Sequence, residues 1–314
     1  MRELEREPHP ETRSSAAPAA VIAMPSRPLR TARSKAELRE LLTPARREGR
    51  SIGLVPTMGY LHEGHLSLIR AARAANDLVV VSLFVNPAQF GPDEDLDAYP
   101  RDEARDAELA AAAGADVLYA PPVEEVYPDG FATSVEVDRL TEVLCGAPGA
   151  RGSEHFRGVI TVVAKLFNTV GPTVAYFGQK DAQQAVVIRR MARDLDFPVE
   201  VEVLPTVREP DGLAMSSRNA YLSEGERHRA AAIPAALREA ADLIAADGSL
   251  DRAIAAARER LAAAGIEPEY LEARHADDLS EASSLNGRPL LIAVAARVGR
   301  ARLIDNLTIE PGDR

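Results

Sequence analysis

IGLVPTMGYLHEGHLSLIRAA, residues 52–72, is the stretch on which the reading of the chain turns. Its first four residues are apolar and partly β-branched, which predicts a strand. Gly59 and Gly64 interrupt the run, and Leu66, Leu68, Ile69 and Ala72 then recur at helical spacing, predicting a helix over about 64–75. A strand, a glycine loop and a helix in that order leave a helix N-terminus open at the carboxyl end of the strand. Backbone amides and the helix dipole attract phosphate there. His62 and His65, two of the six histidines, stand three apart on one face of the first turn. Such imidazoles could donate hydrogen bonds to phosphate oxygens as charge builds on them. Read alone, the pair also suits ordinary packing, or a metal pair without a third ligand.

The same grammar continues outward. Residues 78–85, LVVVSLFV, are apolar on both faces, as buried parallel strands are. A helix over about 101–113 ends at Gly114, and DVLYA follows as a strand. Helices over about 158–170 and 181–195 alternate with the strands TVAYF and VEVEVL. Strand and helix in alternation predict a Rossmann-like, doubly wound parallel sheet with ligands at the carboxyl ends of its strands. After Asn219 the pattern changes. Ile233, Leu237, Ala240 and Ile244 share a helical face that Pro234 should start or kink, a helix over about 250–264 stops at Gly265, and RPLLIAVAARV and ARLIDNLTI read as strands. The expected division is an extension over 1–28, a Rossmann-like domain over 29–206 that binds nucleotide and acid, and a smaller α+β lid domain over 207–314. The extension mixes Pro, Ser, Ala and charge without apolar period and reads as disordered, with Met24 as a second possible start.

A net charge of -11 and a pI near 5.2 argue against a polyanion-binding protein, so no nucleic-acid partner is expected. No uninterrupted apolar run is long enough to span a membrane. The single cysteine, Cys145, excludes an internal disulfide and fits a reducing cytoplasm; it reads as structural. Of 37 basic residues only Lys35, Lys165 and Lys180 are lysine, which fits a genomic bias toward arginine but draws attention to each lysine, because a compact ammonium and a planar guanidinium are not interchangeable at a phosphate.

Lys180 falls in YFGQKDAQQ, residues 176–184, directly after a strand, with Gly178 beside it and Asp181 as a candidate N-cap of the next helix. REPDGLAMSSRN, residues 208–219, gathers Ser216, Ser217 and Arg218 in a polar loop at the domain boundary, suited to cover a triphosphate. Its Asp-Gly and Ser-Ser pairs are also ordinary linker chemistry. EHFRGV, residues 154–159, is either a capped helix with Arg157 exposed or a second helix start facing the site.

In chain order, P-T-M-G-x-L-H-x-G-H, FVNPAQF, YPR, HFRGV, FGQKDAQQ, DGLAMSSRN and ARLIDN resemble the pantothenate synthetase (pantoate:β-alanine ligase) family, over about residues 30–310. The resemblance implies a homodimeric cytoplasmic ligase of the H-I-G-H nucleotidyltransferase superfamily. Such an enzyme joins pantoate to β-alanine with ATP and Mg2+ through a pantoyl adenylate, releasing pyrophosphate and AMP. It implies an ATP site formed by Met58, Gly59, Tyr60, Leu61, His62, Glu63, Gly64 and His65, with His65 as proton donor. Gly178, Gln179, Lys180 and Asp181, Val207, and Met215, Ser216, Ser217 and Arg218 would complete it, with His62, His65, Lys180 and Arg218 as the catalytic set. Gln89 and Gln184 would hold pantoate, and Asn86 in the same loop could contribute likewise. Asp106 matches an acidic family position that could hold Mg2+, although its often acidic neighbour is Arg105 here. Gln179 stands where many relatives have glutamate.

Overall fold

The apolar runs become the strands of one parallel sheet. The computed structural model describes residues 28–312 other than 93, 95 and 285; the expected N-terminal extension therefore lies outside the described residues, apart from its last position. The strands are β1 (Arg30–Ala32), β2 (Ile52–Thr57), β3 (Leu78–Leu83), β4 (Val117–Tyr119), β5 (Val174–Gly178) and β6 (Glu200–Leu204). They lie in the order β1-β4-β3-β2-β5-β6, with every neighbouring pair parallel. From β2 the chain winds outward through β3 and β4, then returns to the other side of β2 for β5 and β6. The winding reverses between β2 and β5, the point where open α/β sheets bind ligands.

Helices α1 (Lys35–Arg47), α2 (Glu63–Ala75), α3 (Glu103–Ala113), α4 (Val123–Val126), α5 (Ser153–Val170) and α6 (Ala182–Asp194) flank this sheet. Alternation along the central strands sorts the core into two faces. Leu54, Val80 and Val117 pack with Leu38 and Leu42 of α1 and with Ile160, Val163 and Phe167 of α5. Val55, Val79, Val81 and Leu118 pack with Leu68, Ile69 and Ala72 of α2 and with Ala110 of α3. Each of the Leu, Ile, Val and Phe side chains contributes about 1.5–3 kcal/mol on leaving water.

The structure moves one expected helix start and leaves one expected cap unmade. Helix α5 starts at Ser153, five residues before Gly158; a Cβ on that glycine would stand 2.1 Å from the Ala88 carbonyl oxygen, so it marks a close helix–loop contact and not a helix start. Asp181 occupies the N-cap position of α6 but makes no capping side-chain bond; its carboxylate lies 3.6 Å from Lys180 Nζ.

Beyond β6 come α7 (Glu224–Ala230), α8 (Ala232–Asp247), α9 (Leu250–Ala263) and an antiparallel sheet of β7 (Pro268–His275), β8 (Leu290–Val298) and β9 (Ala301–Ile309). Ile233, Leu237, Ala240 and Ile244 face inward as their spacing requires, and Pro234 sits in the first turn of α8, where no intrahelical N–H is needed. This smaller C-terminal sheet docks on the parallel one through Leu291 and Ala293 against Leu144 and Ala182. Cys145 lies in the same contact, its Sγ 3.1 Å from Tyr270 Oη. Among the described residues no helix is long and apolar enough to cross a membrane.

Candidate active site

The loop after β2 is held from both ends. Tyr60 N–H and Leu61 N–H each donate to an Asp106 carboxylate oxygen at 2.7 Å. Gly64 N–H donates to His62 Nδ1 at 3.2 Å, and His62 N–H reaches His65 Nδ1 at 3.4 Å, so the two imidazoles cap α2 reciprocally. A Cβ at residue 64 would stand 2.9 Å from His62 Cε1, so this glycine makes room for the imidazole. Because both Nδ1 atoms accept, both rings are Nε2–H tautomers. The rings lie 4.1 Å apart by centroid and border one cavity of about 230 Å3. Burial, then the Lys180 charge, pushes His62 down to about 4. Burial, then His62, pushes His65 down to about 3. Near neutrality both rings are therefore uncharged donors.

Across the reversal point, β5 ends at Gly178 and the chain makes a single 3-10 turn, Gln179–Asp181, before α6. Nothing lies within 4 Å of where a Cβ would stand at Gly178, which leaves open space for a ligand. The 208–219 stretch is a tight hairpin and not a free linker: Arg208 bridges Ala214, and Met215 N–H donates to Val207 O at 2.9 Å. Ser216 Oγ accepts from Arg218 N–H and caps the following turn, Ser217–Tyr221. Val207, Met215, Ser216, Ser217 and Arg218 all border the cavity of the histidines, as do Gly178, Lys180 and Asp181.

Met58, Asn86, Gln89 and Gln184 close the remaining wall. Asn86 is buried and spent: Nδ2 donates to Gln89 Oε1 and Gly158 O, while Oδ1 accepts from Tyr127 Oη–H at 2.8 Å and from Ala88 N–H. It orients Gln89 from the cavity wall. Gln89 O also faces His155 Nδ1 at 2.8 Å, and His155 Nε2 faces Arg151 Nη1 at 3.1 Å. A carbonyl on one nitrogen and a guanidinium on the other fix His155 as a neutral Nδ1–H tautomer. Burial, then Arg151, pushes it down to about 4. Glu94 pairs with Arg151 at 2.6 Å and completes this clasp.

Other expected residues do not border the cavity. Gly59 and Asp106 line a separate one of about 450 Å3 behind the loop, Leu61 is in the core, and Tyr60 stacks on Arg105. Glu63 pairs with Arg70 at the surface, and Gln179 turns toward Asn306 and Thr308. Arg157 pairs with Glu136 and Glu154, while its neighbour His155 reaches the site. The metal role expected for Asp106 does not fit: the residue is 1% exposed, both oxygens accept backbone amides, and it lines the cavity behind the loop and not the one that Lys180 borders. Burial raises its pKa, opposed by those amides. Among the described residues no cluster of three or more His, Cys, Asp or Glu could hold a metal.

Fold and cavity together define a doubly wound α/β protein with a cleft bordered by Lys180 and Arg218 at the reversal of its sheet. A sequence profile of the pantoate-beta-alanine ligase family matches residues 30–308. The chain belongs to that family, whose members are ligases joining pantoate to β-alanine. It is 55% identical over 282 residues to the pantothenate synthetase of Moorella thermoacetica, covering 88% of this chain and 98% of that one. The pantothenate synthetase from Thermus thermophilus superposes with a TM-score of 0.83 at 49% identity, over 90% of this chain and all (100%) of that one. The pantoate-beta-alanine ligase from Francisella tularensis, solved with beta-gamma ATP and beta-alanine, gives a TM-score of 0.74 at 32% identity, over 91% and 100% of the two chains.

Proposed function

We propose that the cleft between β2 and β5 makes pantothenate in two steps, adenylation of pantoate by ATP and then capture of the adenylate by β-alanine. One observation carries this reading: two neutral Nε2–H imidazoles, Lys180 and Arg218 border the same cavity, opposite the amide of Gln89. In the first step a pantoate carboxylate oxygen attacks the α-phosphorus and the bond to pyrophosphate breaks. His62, His65, Lys180 and Arg218 stabilise the charge that spreads over the phosphates, chiefly by position. With its pKa near 3, His65 acts as a hydrogen-bond donor and not as an imidazolium acid. Gln89, braced by Asn86 and His155, and Gln184 orient pantoate without adding a charge. In the second step β-alanine loses one ammonium proton to solvent, its free amine attacks the acyl carbon, the bond to AMP breaks, and the second proton of the nitrogen leaves to solvent or with AMP.

Because Asp106 does not fit as a ligand, Mg2+ would arrive with ATP, held by phosphate oxygens and water. Residues 29–206 supply most of the cleft and 207–314 the part that covers it. A cytoplasmic homodimer belongs to the same reading through the family resemblance, and sedimentation as a monomer would overturn its dimeric part. The test of function is ATP/pyrophosphate exchange. Pantoate-dependent exchange, with AMP formed only when β-alanine is added, is expected. Exchange that ignores pantoate, or that answers instead to a phosphorylated acceptor, overturns the reading in favour of a simple adenylyltransferase.

A further inference from the structure

The motif ARLIDN, residues 301–306, lies far from the histidines in sequence and is not used by the chemistry above. In β9 its last two residues are polar and almost fully buried, Asp305 at 3% exposure and Asn306 at 4%. Strand alternation would send one of two consecutive side chains to solvent, so burial of both requires partners. They are found in the two loops that carry the cations of the cleft. Asn306 Nδ2 donates to the backbone carbonyls of Gln179 and Lys180, both at 2.9 Å. Its Oδ1 accepts from Gln179 Nε2 at 3.2 Å, so the whole amide is engaged and its orientation fixed. Asp305 accepts both arms of Arg208, at 2.7 and 3.0 Å, and Arg208 also donates to Gly212 O, gripping the hairpin that ends in Ser216 and Arg218.

Local sequence supplies little else to fix the Lys180 turn. Gly178 at its start makes no side-chain cap, and Asp181 at its end makes none either. Without Asn306 the carbonyls of Gln179 and Lys180 would lose these buried partners, and the turn would lose the contact that sets its height above the sheet. We infer that Asp305 and Asn306 are positioning residues that set Lys180 against Arg218 across the phosphate site, making β9 a working part of adenylation and not only of a cover. The inference rests on the adenylation reading and concerns its first step. Pyrophosphate departs in that step alone, so the second step, which starts from a formed adenylate, depends much less on the placement of Lys180.

The two half-reactions separate these possibilities. In Asn306→Ala, pantoate-dependent ATP/pyrophosphate exchange is expected to fall about 10- to 100-fold, the scale of an ångström's misplacement of a charge-stabilising group. Amide formation from supplied pantoyl adenylate and β-alanine should stay within about threefold of wild type. Asn306→Ser, which keeps one donor, should lie between, and serves if the alanine variant does not fold. In a Lys180→Ala background the Asn306 substitution should cost little more, because a residue that acts through Lys180 has nothing left to position. Unchanged exchange, equal loss in both half-reactions, or full additivity with Lys180→Ala would each overturn the inference while the wild-type exchange still upheld adenylation. Absence of pantoate-dependent exchange in the wild type would instead overturn the adenylation reading, and this inference with it.

Discussion

The two walls of the phosphate cleft are built by opposite strategies. On the β2 side, His62 and His65 are set by contacts within three residues: each Nδ1 accepts a backbone amide of the same helix start. On the β5 side, Lys180 is set by Asn306, 126 positions away, and the Arg218 hairpin by Asp305, 97 positions from Arg208. In one wall the imidazole pair is a local motif, although its loop is also held from behind by Asp106 of α3, 45 and 46 positions away. The other is an assembly that exists only once the C-terminal sheet has docked. Damage to the local wall should therefore act at the atom changed, whereas damage to the assembled wall should travel.

The largest effect expected of this contrast is at His65. His65→Ala removes a neutral Nε2–H donor and also the acceptor for the His62 backbone N–H, while the His62 ring keeps Gly64 N–H. Adenylate formation should slow about 10²- to 10³-fold, the usual cost of removing a preorganised donor from developing charge. Pantoate affinity, read by titration calorimetry, should change far less, since Gln89 is held by Asn86, His155 and Met58 Sδ and by neither imidazole of the pair. A loss confined to pantoate affinity would break the phosphate role. Lys180→Arg ranks next. Its backbone carbonyl stays on Asn306, but a broad planar fork replaces a compact ammonium, and exchange should fall on the order of 10²-fold. Near-normal turnover would mean that the scarcity of lysine in this chain carries no functional information.

Asp106→Asn tests the local wall from behind. Placing an NH2 against Tyr60 N–H or Leu61 N–H loses one of two 2.7 Å bonds and sets donor against donor. The expected loss is about 1–3 kcal/mol of folding stability, read by urea unfolding. The dependence of exchange on Mg2+ concentration should be unchanged. A shifted Mg2+ dependence would restore Asp106 as a metal ligand and overturn the loop-holding role.

What can be read from the sequence follows the same divide. The β2 wall is legible because strand, glycine, imidazole and helix are contiguous, and the reversal of the sheet follows from the alternation of elements. The first strand and helix escape such a reading, since Arg30–Ala32 has no apolar run, although Ser34 and Glu37 spell a capping box that marks the start of α1. In EHFRGV neither reading holds in full: α5 has no side-chain cap, Arg157 is half-buried between Glu136 and Glu154, and the residue that reaches the site is His155. Asp305 and Asn306 leave a faint trace, two consecutive polar residues at the middle of a mostly apolar strand. Their partners are set by tertiary docking, which no local period encodes.

The smallest effect at neutral pH should be at His155, and it becomes visible only in acid. Its Nδ1–H is on Gln89 O and its Nε2 faces Arg151, so a second proton would place an imidazolium N–H against a guanidinium. The folded pKa is held near 4, below the ordinary 6.5 of an unfolded chain. Between those values the unfolded state binds more protons than the folded one, so stability is complete above about pH 6.5 and is lost as pH falls toward 4. His62, held near 4, and His65, held near 3, add slope of the same sign in the same window. His155→Gln keeps an amide donor for Gln89 O and an acceptor for Arg151 without a titrating group. Its melting temperature at pH 7 should lie close to that of wild type, and its decline between about pH 6.5 and 4.5 should be shallower, by a stability difference of order 2 kcal/mol at the acid end. Because the clasp of Glu94, Arg151 and His155 closes on the Gln89 loop and not on Lys180, the KM for pantoate should rise in acid before the KM for ATP does. Parallel melting profiles in the two proteins, or an ATP KM that rises first, would move the acid-sensitive point to the histidines of the β2 wall.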